Sequence, residues 1–299
     1  MEIAIISGKG GTGKSCISAA FATLDERVVL ADCDTDAANL YLIFDPVIKE
    51  EFPFAGSTKA FINQQKCHKC GLCQSYCRFN AIDYINNSYT INNLLCDGCN
   101  LCTRICPFSA ISMEVAENSR LYAGNFRNGY LVWGRLAPGE ENTGKLVSLV
   151  RSKAKEVARI NKLDTIIIDG PPGTGCPVAA TVTGTDKIVI VTEPTCSALS
   201  DLKRLIESLK SNSQEIVVII NKSDLNNTIT TQIDSYCNQN DIQVAGKLPF
   251  DPDVVRAMVN CKSMTEWATE SEFSKRVKDI FKELAGYDQQ KRVYTSLYR

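Results

Sequence analysis

Short apolar runs alternate with longer amphipathic stretches along most of this 299-residue chain. The short runs are rich in valine and isoleucine, whereas apolar residues recur every three or four positions in the longer stretches. This alternation is typical of a parallel sheet covered by helices on both faces. The predicted strands are residues 3–6, 27–31, 165–168, 187–191, 215–220 and 243–247, and the predicted helices lie near residues 15–24, 145–161, 200–209, 228–240 and 271–284.

A cysteine-rich segment interrupts this alternation. Of the 14 cysteines, eight lie between Cys67 and Cys106, and the sequence CHKCGLCQSYCRFNAI from Cys67 matches CDGCNLCTRICPFSAI from Cys96 at an offset of 29 residues. The α/β pattern resumes only near Tyr130. We therefore predict an inserted domain at residues 57–116, a larger domain formed by residues 1–56 and 117–286, and a surface tail at residues 287–299.

Each half of the repeat has the spacing C-x2-C-x2-C-x3-C, which resembles that of bacterial two-cluster ferredoxins. In that family thiolates hold [4Fe-4S] clusters, and the fourth cysteine of each run serves the cluster of the other run. The resemblance implies a first cluster held by Cys67, Cys70, Cys73 and Cys106, and a second held by Cys96, Cys99, Cys102 and Cys77. One departure is that Arg78 follows Cys77, where the second run has Pro107 after Cys106.

Two tetrahedral zinc sites are the alternative for these eight thiolates. Zinc ribbons usually separate C-x2-C pairs by long spacers, so three cysteines at two-residue gaps favour iron–sulfur clusters. His68 lies between two of the predicted ligands, and we expect it to be a solvated loop residue rather than a ligand.

The sequence GKGGTGKS follows the first predicted strand and opens the first predicted helix. This context identifies a phosphate-binding loop rather than a chance glycine-rich turn. Backbone N–H groups would hold phosphates, Lys14 would neutralise their charge, and the Ser15 hydroxyl would bind Mg²⁺. The predicted nucleotide-binding residues here are Gly8, Lys9, Gly10, Gly11, Thr12, Gly13, Lys14, Ser15 and Cys16.

Three aspartates lie where predicted strands end. Asp32 and Asp34 follow the second strand, and Asp169 ends the run TIIID, which has the form of a Walker B strand. We predict that Asp169 and Asp32 help to hold Mg²⁺, with helix capping or another structural role as the alternative for Asp32. Gly173 could donate an N–H to the γ-phosphate.

The motif KGGTGKS, with its additional Lys9, resembles the deviant Walker A motif of the MinD, ParA, nitrogenase iron protein and Mrp/Nbp35 superfamily of dimerising ATPases. The resemblance implies that Lys9 contacts the partner's phosphates across a nucleotide-dependent dimer, formed by two copies or with a related ATPase. It further implies catalysis by Lys9, Lys14 and Asp34, with Asp34 positioning the attacking water. Asn221 would read adenine, and the LPFDP loop that contains Pro249 would close over the base.

The six cysteines outside the repeat are scattered singly. Cys176 lies seven residues after Asp169, the separation at which the nitrogenase iron protein carries a bridging-cluster cysteine. The second cysteine of such a bridge is missing from LVWGRLAPG, so we expect Cys176 to be a small buried residue. Cys16 and Cys33 are likewise expected to have core side chains.

Composition limits the possible functions. Lys and Arg total 33 against 34 for Asp and Glu, which gives no indication of nucleic-acid binding. The longest apolar runs are strand-sized, and residues 287–299 are short for stable membrane attachment. We expect a cytoplasmic protein in which ATP, Mg²⁺ and two [4Fe-4S] clusters serve electron transfer to a redox partner or delivery to a metal-cluster acceptor. A MinD-like spatial-positioning switch is the alternative.

Overall fold

A nine-stranded sheet forms the centre of the fold in the computed structural model, which describes residues 1–25, 27–127, 129–140, 143–210 and 213–286. The predicted tail at residues 287–299 lies outside the described residues. The strands are β1 Glu2–Ser7, β2 Val28–Asp32, β3 Val47–Phe54, β4 Ser57–Ile62, β5 Ile82–Ile85, β6 Ser88–Ile91, β7 Ile111–Ala116, β8 Ser119–Phe126, β9 Gly129–Arg135, β10 Thr165–Pro172, β11 Lys187–Thr192, β12 Glu215–Ile220 and β13 Gln243–Lys247.

The strand order in the large sheet is β13-β12-β11-β1-β10-β2-β9-β8-β3. The seven strands from β13 to β9 are parallel, and β8 and β3 add an antiparallel edge. Helices cover both faces, so the predicted doubly wound, mostly parallel α/β fold is confirmed. The helices are α1 Lys14–Ala22, α2 Leu40–Phe44, α3 Leu72–Ser75, α4 Leu101–Ile105, α5 Thr143–Asn161, α6 Cys176–Val182, α7 Cys196–Leu209, α8 Asn227–Gln239, α9 Asp253–Val259, α10 Met264–Trp267 and α11 Glu272–Leu284.

Alternate residues of the buried strands face two separate apolar layers. Ile3 and Ile5 pack with α1 and α11 on one face, where Phe21 contacts Phe281 with ring centroids 5.2 Å apart. Ala4 and Ile6 pack with α6 and α7 on the other face. Burial on both faces explains why these strands are near-continuous apolar runs.

The cysteine-rich interval is built from two small antiparallel pairs, β4 with β7 and β5 with β6, and the short helices α3 and α4. The two halves of the sequence repeat share a local contact: the Ala81 amide donates to Cys77 Sγ and the Ala110 amide donates to Cys106 Sγ, both at 3.4 Å. The 29-residue repeat is therefore also a repeat of backbone geometry around the fourth cysteine of each run.

An antiparallel ribbon connects this interval to the large sheet. The β3–β8 pairing reaches Phe54 opposite Ser119, and the β4–β7 pairing begins with Ser57 opposite Ala116. One strand advances and the other recedes by three residues between these pairs, so the two pairings keep the same register, although residues 55–56 and 117–118 between them lie outside the strands. The cysteine-rich interval is thus joined to the large sheet by two two-residue segments that lie between strand pairs of matching register.

Candidate nucleotide site and cysteine cavities

The glycine-rich loop connects the buried strand β1 to helix α1 at the carboxyl edge of the parallel sheet. Gly11 and Gly13 have φ values of 79° and 96°, a left-handed conformation that favours glycine. A Cβ on Gly8 would lie 2.6 Å from Asp201 Cβ, whereas no heavy atom of the described residues lies within 4 Å of a Cβ built on Gly10. The loop therefore packs closely on α7 and leaves its other side open, with the α1 N-terminus available to an anion.

The two lysines of this loop occupy different environments. Lys14, the first residue of α1, is only 6% exposed. Lys9 is more exposed, and its Nζ lies 2.7 Å from Glu193 Oε1. Lys9 Nζ also lies 3.4 Å from the Thr195 and Ser197 hydroxyls at the start of α7. Only Lys14 is enclosed within its own loop.

Glu193 connects Lys9 to a second lysine. Lys222 Nζ lies 2.8 Å from Glu193 Oε2 and donates to the Gly11 carbonyl at 3.0 Å. Burial alone would raise the pKa of Glu193, but hydrogen bonds from Lys222 and Lys9 outweigh it and lower that pKa. Sequence reasoning missed both residues, although Glu193 follows the end of β11 and Lys222 follows Asn221 in the sequence IINKSD.

Asp169 and Asp32 lie side by side because β10 and β2 are paired in register at these residues. Both carboxyls are fully buried. Asp169 accepts hydrogen bonds of 2.7 Å from Ser15 and from Ser18, a residue that the sequence did not single out. Asp32 accepts backbone N–H groups of Asp34, Asn39 and Leu40 at 3.1–3.2 Å. These contacts bring together the three predicted Mg²⁺ ligands Ser15, Asp32 and Asp169.

Burial dominates the electrostatics of the aspartates. It raises the pKa of Asp32 well above its ordinary value, and Asp169 adds to that rise. Burial also raises the pKa of Asp169 against the opposing effects of Lys14, Ser15 and Ser18. The pKa of the half-buried Asp34 is raised by burial and lowered in part by Lys14. A cation would offset this penalty, because two adjacent buried carboxylates are stabilised by a bound divalent ion.

Three further residues of the predicted nucleotide site are engaged within the protein. Asn221 donates from Nδ2 to the Thr12 carbonyl at 2.8 Å and accepts from the Lys222 amide at 3.0 Å. The Gly173 amide donates to the Ser7 carbonyl at 2.8 Å. The Thr12 side chain is buried, and its Oγ1 has no partner among the described residues. In this structure Asn221 fastens the phosphate-binding loop to the end of β12.

The loop predicted to close over the base begins with Leu248 and Pro249. Leu248 is fully buried, and its amide donates to the Ile220 carbonyl at 2.9 Å. Phe250 is 49% exposed, and its amide donates to Asp224 Oδ1 at 2.7 Å. This loop is therefore anchored beside Asn221, with an aromatic ring exposed to solvent.

The eight clustered cysteines line two cavities, and each cavity contains residues from both halves of the repeat. Cys73 lies on the wall of both. The first cavity is lined by Cys67, Cys70, Cys73 and Cys106. The second cavity is lined by Cys77, Cys96, Cys99 and Cys102, together with Cys73. Each cavity thus brings together one of the two predicted ligand sets.

These cysteines surround cavities rather than a single point. No three His, Cys, Asp or Glu side chains in the described parts of the chain converge to hold one metal ion. A cubane cluster has an iron atom at each of four corners, so its thiolates are placed around a box. His68 is exposed at the rim of the first cavity and stacks on Phe108 with ring centroids 4.1 Å apart.

The other cysteines divide between core and surface. Cys33 is fully buried, as predicted, and burial raises its pKa. Cys16 is partly buried, with Sγ 3.3 Å from Met258 Sδ, and burial raises its pKa to about 11. The prediction that Cys176 is buried is wrong, because it is exposed as the first residue of α6. The turn that precedes α6 carries this position out of the core.

The chain belongs to the CobQ/CobB/MinD/ParA nucleotide binding domain family, whose model matches residues 3–263. Two relatives from Methanocaldococcus jannaschii are uncharacterized proteins. MJ0578 is 37% identical over 287 residues, covering 95% of this chain and 96% of that protein. MJ0579 is 28% identical over 232 residues, covering 74% of this chain and 80% of that protein.

Solved structures with the same fold include MinD and ParA proteins. The septum site-determining protein MinD complexed with Mg-ADP, from Pyrococcus horikoshii, has a TM-score of 0.58 and 17% identity, covering 95% of each chain. A ParA family ATPase from Chlorobium tepidum has a TM-score of 0.54 and 18% identity, covering 94% of this chain and 98% of that one. At these identities the likeness establishes the fold. No helix in the described ranges is long and apolar enough to span a membrane.

Asp169→Asn is expected to stabilise the metal-free protein relative to wild type, and to do so increasingly as the pH rises above the ordinary pKa of an aspartate, about 3.9. The raised pKa values of Asp32 and Asp169 mean that wild type loses stability as the pH rises through them. The asparagine removes one buried charge, and each unit of pKa shift corresponds to about 1.4 kcal/mol. Urea unfolding in chelator at several pH values measures this difference. Parallel pH profiles for the two proteins would contradict it.

Proposed function

We propose that this protein is an ATPase switch whose inserted domain holds two [4Fe-4S] clusters, and that nucleotide-dependent dimerisation gates electron transfer or metal-cluster assembly. The observation that carries the proposal is the crossed arrangement of the cysteines. Residues from two sequence runs line two cavities in the combinations expected for bacterial-type ferredoxins. If the cysteines only packed a hydrophobic core, there would be no reason for the fourth cysteine of each run to line the cavity of the other run.

The cluster ligands in this proposal are the two four-cysteine sets. Cys67, Cys70, Cys73 and Cys106 would hold the first cluster, and Cys96, Cys99, Cys102 and Cys77 the second. Such clusters, when bound, accept and release single electrons. The Ala81 and Ala110 amides donate to Cys77 and Cys106 sulfur and would stabilise these two ligands as thiolates.

The nucleotide in this proposal is ATP with Mg²⁺. The glycine-rich loop and the buried Lys14 would hold the phosphates, and Ser15, Asp32 and Asp169 would hold Mg²⁺ directly or through water. Asp34 would position the attacking water. Gly173 would reach a phosphate only after its amide leaves the Ser7 carbonyl.

Lys9 has the position of a residue that acts on a partner. Glu193 holds it away from the interior of its own loop at 2.7 Å. In the proposed dimer Lys9 would supply a cation to the partner's nucleotide, as an arginine finger does. The dimer consists of two copies of this chain or of this chain and a related ATPase.

A MinD-like role in spatial positioning is compatible with the fold, since MinD structures resemble it. That role gives the eight cysteines only a sensing or structural purpose. The redox or cluster-transfer role uses both domains, which we propose as residues 57–116 and as residues 1–56 with 117–286. A redox protein or cluster acceptor would be the partner, in the cytoplasm, without nucleic acid or membrane attachment.

Anaerobically purified protein is expected to contain about eight iron atoms and eight sulfides per chain. Cys77→Ser is expected to damage the cluster held mainly by the second run, because Cys77 lines the second cavity. Cys106→Ser should damage the other cluster, because Cys106 lines the first. EPR of the reduced proteins distinguishes the two losses.

Cys261→Ser is the matched control for these variants, because Cys261 is an exposed cysteine outside both cavities. Loss of the first-run signal alone in Cys77→Ser would contradict the crossed assignment. Zinc in place of iron in anaerobically prepared protein would rule out the redox function.

Asp34→Asn is expected to preserve Mg-ATP binding and to reduce hydrolysis by at least about a hundredfold, because water loses its positioning group. Asp169→Asn should weaken Mg-ATP affinity itself, because it removes a charge from the Mg²⁺ site. Isothermal titration together with phosphate release measures both effects. Equal losses of affinity in the two variants would show that the roles are wrongly assigned.

Lys9→Ala is expected to leave ATP binding by the monomer nearly intact but to abolish ATP-dependent dimerisation and hydrolysis, because the transition state loses its cation from the partner. Lys14→Ala should instead weaken binding. In a mixed dimer of the two variants, ATP on the Lys9→Ala chain should be hydrolysed, because its partner still supplies Lys9. Turnover only on a chain that retains its own Lys9 would overturn this mechanism.

A further inference from the structure

A buried lysine fastens the cysteine-rich interval to the nucleotide-binding domain. Lys59 lies on β4 and is only 9% exposed. Its Nζ donates to the Cys96 carbonyl at 2.6 Å and to the Gly139 carbonyl at 2.5 Å. Cys96 is the first cysteine of the second run, and Gly139 lies between β9 and α5 of the large domain. One ammonium group therefore contacts both domains directly beside the second cavity.

The loop that contains Gly139 also contacts the nucleotide site. The Leu136 amide donates to the Thr35 carbonyl at 3.2 Å. Thr35 directly follows Asp34, the residue proposed to position the attacking water. Movement of the segment after β2 on nucleotide binding would therefore act on the loop at residues 136–140.

The same loop is fixed to the ribbon between the domains. The Ala137 amide donates to the Ser119 hydroxyl at 2.9 Å. The Glu140 carboxylate accepts the Asn118 and Ser119 amides at 3.1 and 3.3 Å. These contacts hold the loop against the start of β8, where the ribbon crosses between the domains.

Two glycines permit the close packing at this junction. Gly139, with φ 74°, would bring a Cβ within 3.0 Å of the Leu94 backbone. Gly98, with φ 72°, packs its Cα against the Thr58 carbonyl so closely that a Cβ would overlap it. The second-run loop is thus pressed against the junction from two sides.

We infer that Lys59 is a positioning residue that transmits the nucleotide state from the Asp34–Thr35 segment to the second cysteine cavity, and that its ammonium raises the reduction potential of the cluster there. This inference rests on the proposed function, because it requires the second cluster. A positive charge and backbone hydrogen bonding near a thiolate-bound cluster favour its reduced, more negative form. Lys59 lines neither cavity itself, but it donates a hydrogen bond to the carbonyl of Cys96, which lines the second cavity.

The test uses the anaerobically purified full chain and EPR-monitored redox titration, with and without a non-hydrolysable ATP analogue and Mg²⁺. Lys59→Met removes the charge and keeps a similar side-chain volume. It is expected to lower the reduction potential of the second cluster by about 59 mV, a tenfold change in the ratio of oxidised to reduced cluster. The nucleotide-dependent shift of that cluster, expected in wild type, should also disappear.

Lys66→Met is the matched control, because Lys66 is an exposed lysine of the same domain. It should leave the second cluster and its nucleotide response unchanged. Lys59→Arg, which keeps the charge and the donors, should retain most of the wild-type potential. Hydrogen exchange gives a readout that does not depend on the clusters: Lys59→Met should accelerate exchange in residues 94–98 and 136–140 together, and only the wild type should show nucleotide-dependent protection of residues 94–98.

The outcomes separate the two proposals. A protein without iron and sulfide would overturn the proposed function and this inference with it. Two intact clusters whose potentials and nucleotide response are the same in Lys59→Met and wild type would overturn this inference alone. An equal effect of Lys66→Met, or a wild-type second cluster that does not respond to nucleotide, would overturn it as well.

Discussion

The in-register pairing of β2 with β10 places two fully buried carboxylates, Asp32 and Asp169, side by side. Burial and mutual repulsion both oppose the ionisation of these carboxyls, so the pair lowers the stability of the fold at neutral pH. Backbone amides at Asp32 and two serine hydroxyls at Asp169 offset only part of this effect. The part of this electrostatic cost that remains favours the binding of a cation beside the glycine-rich loop. A divalent cation bound beside this pair would relieve the electrostatic cost of burying both carboxylates.

The turn after β2 connects this buried pair, through hydrogen bonds, to the loop that follows β9. Asp32 accepts hydrogen bonds from the amides of the residues that follow it, so occupancy of the cation site bears on the whole turn that contains Asp34 and Thr35. The same turn contacts the loop after β9. The buried pair is thereby connected by hydrogen bonds to the loop at residues 136–140. This connection requires no separate regulatory element.

The sequence predicted the parts whose signals are local. The buried parallel strands are apolar runs, and the glycine-rich loop follows a strand and opens a helix. The resemblance to two-cluster ferredoxins implied two cysteine sets, and each set lines one cavity, with Cys73 lining both. The edge strand β3 was missed because the charged run Lys49, Glu50 and Glu51 interrupts its apolar residues, and only Phe54 of the strand is buried. Contacts between distant segments could not be predicted from the sequence either. Examples are the contacts of Glu193 with Lys9, Asn221 with Thr12, and Lys59 with Cys96. Each depends on which loops the sheet order brings together, and residue types alone do not specify that order.

The short connection between the two strand pairs limits how far the cysteine-rich interval can move relative to the large sheet. Two independent linkers at residues 55–56 and 117–118 would let the cysteine-rich interval reorient freely, and a hydrogen bond at Lys59 would then yield with little consequence. The two strand pairs on either side have the same register, with Phe54 opposite Ser119 and Ser57 opposite Ala116, so only two residues in each chain segment lie between them and such reorientation is limited. A displacement of the loop at residues 136–140 therefore acts on an interval that is held in register. Such a displacement would alter the surroundings of the second cavity, because the Lys59 contacts join that cavity to the loop.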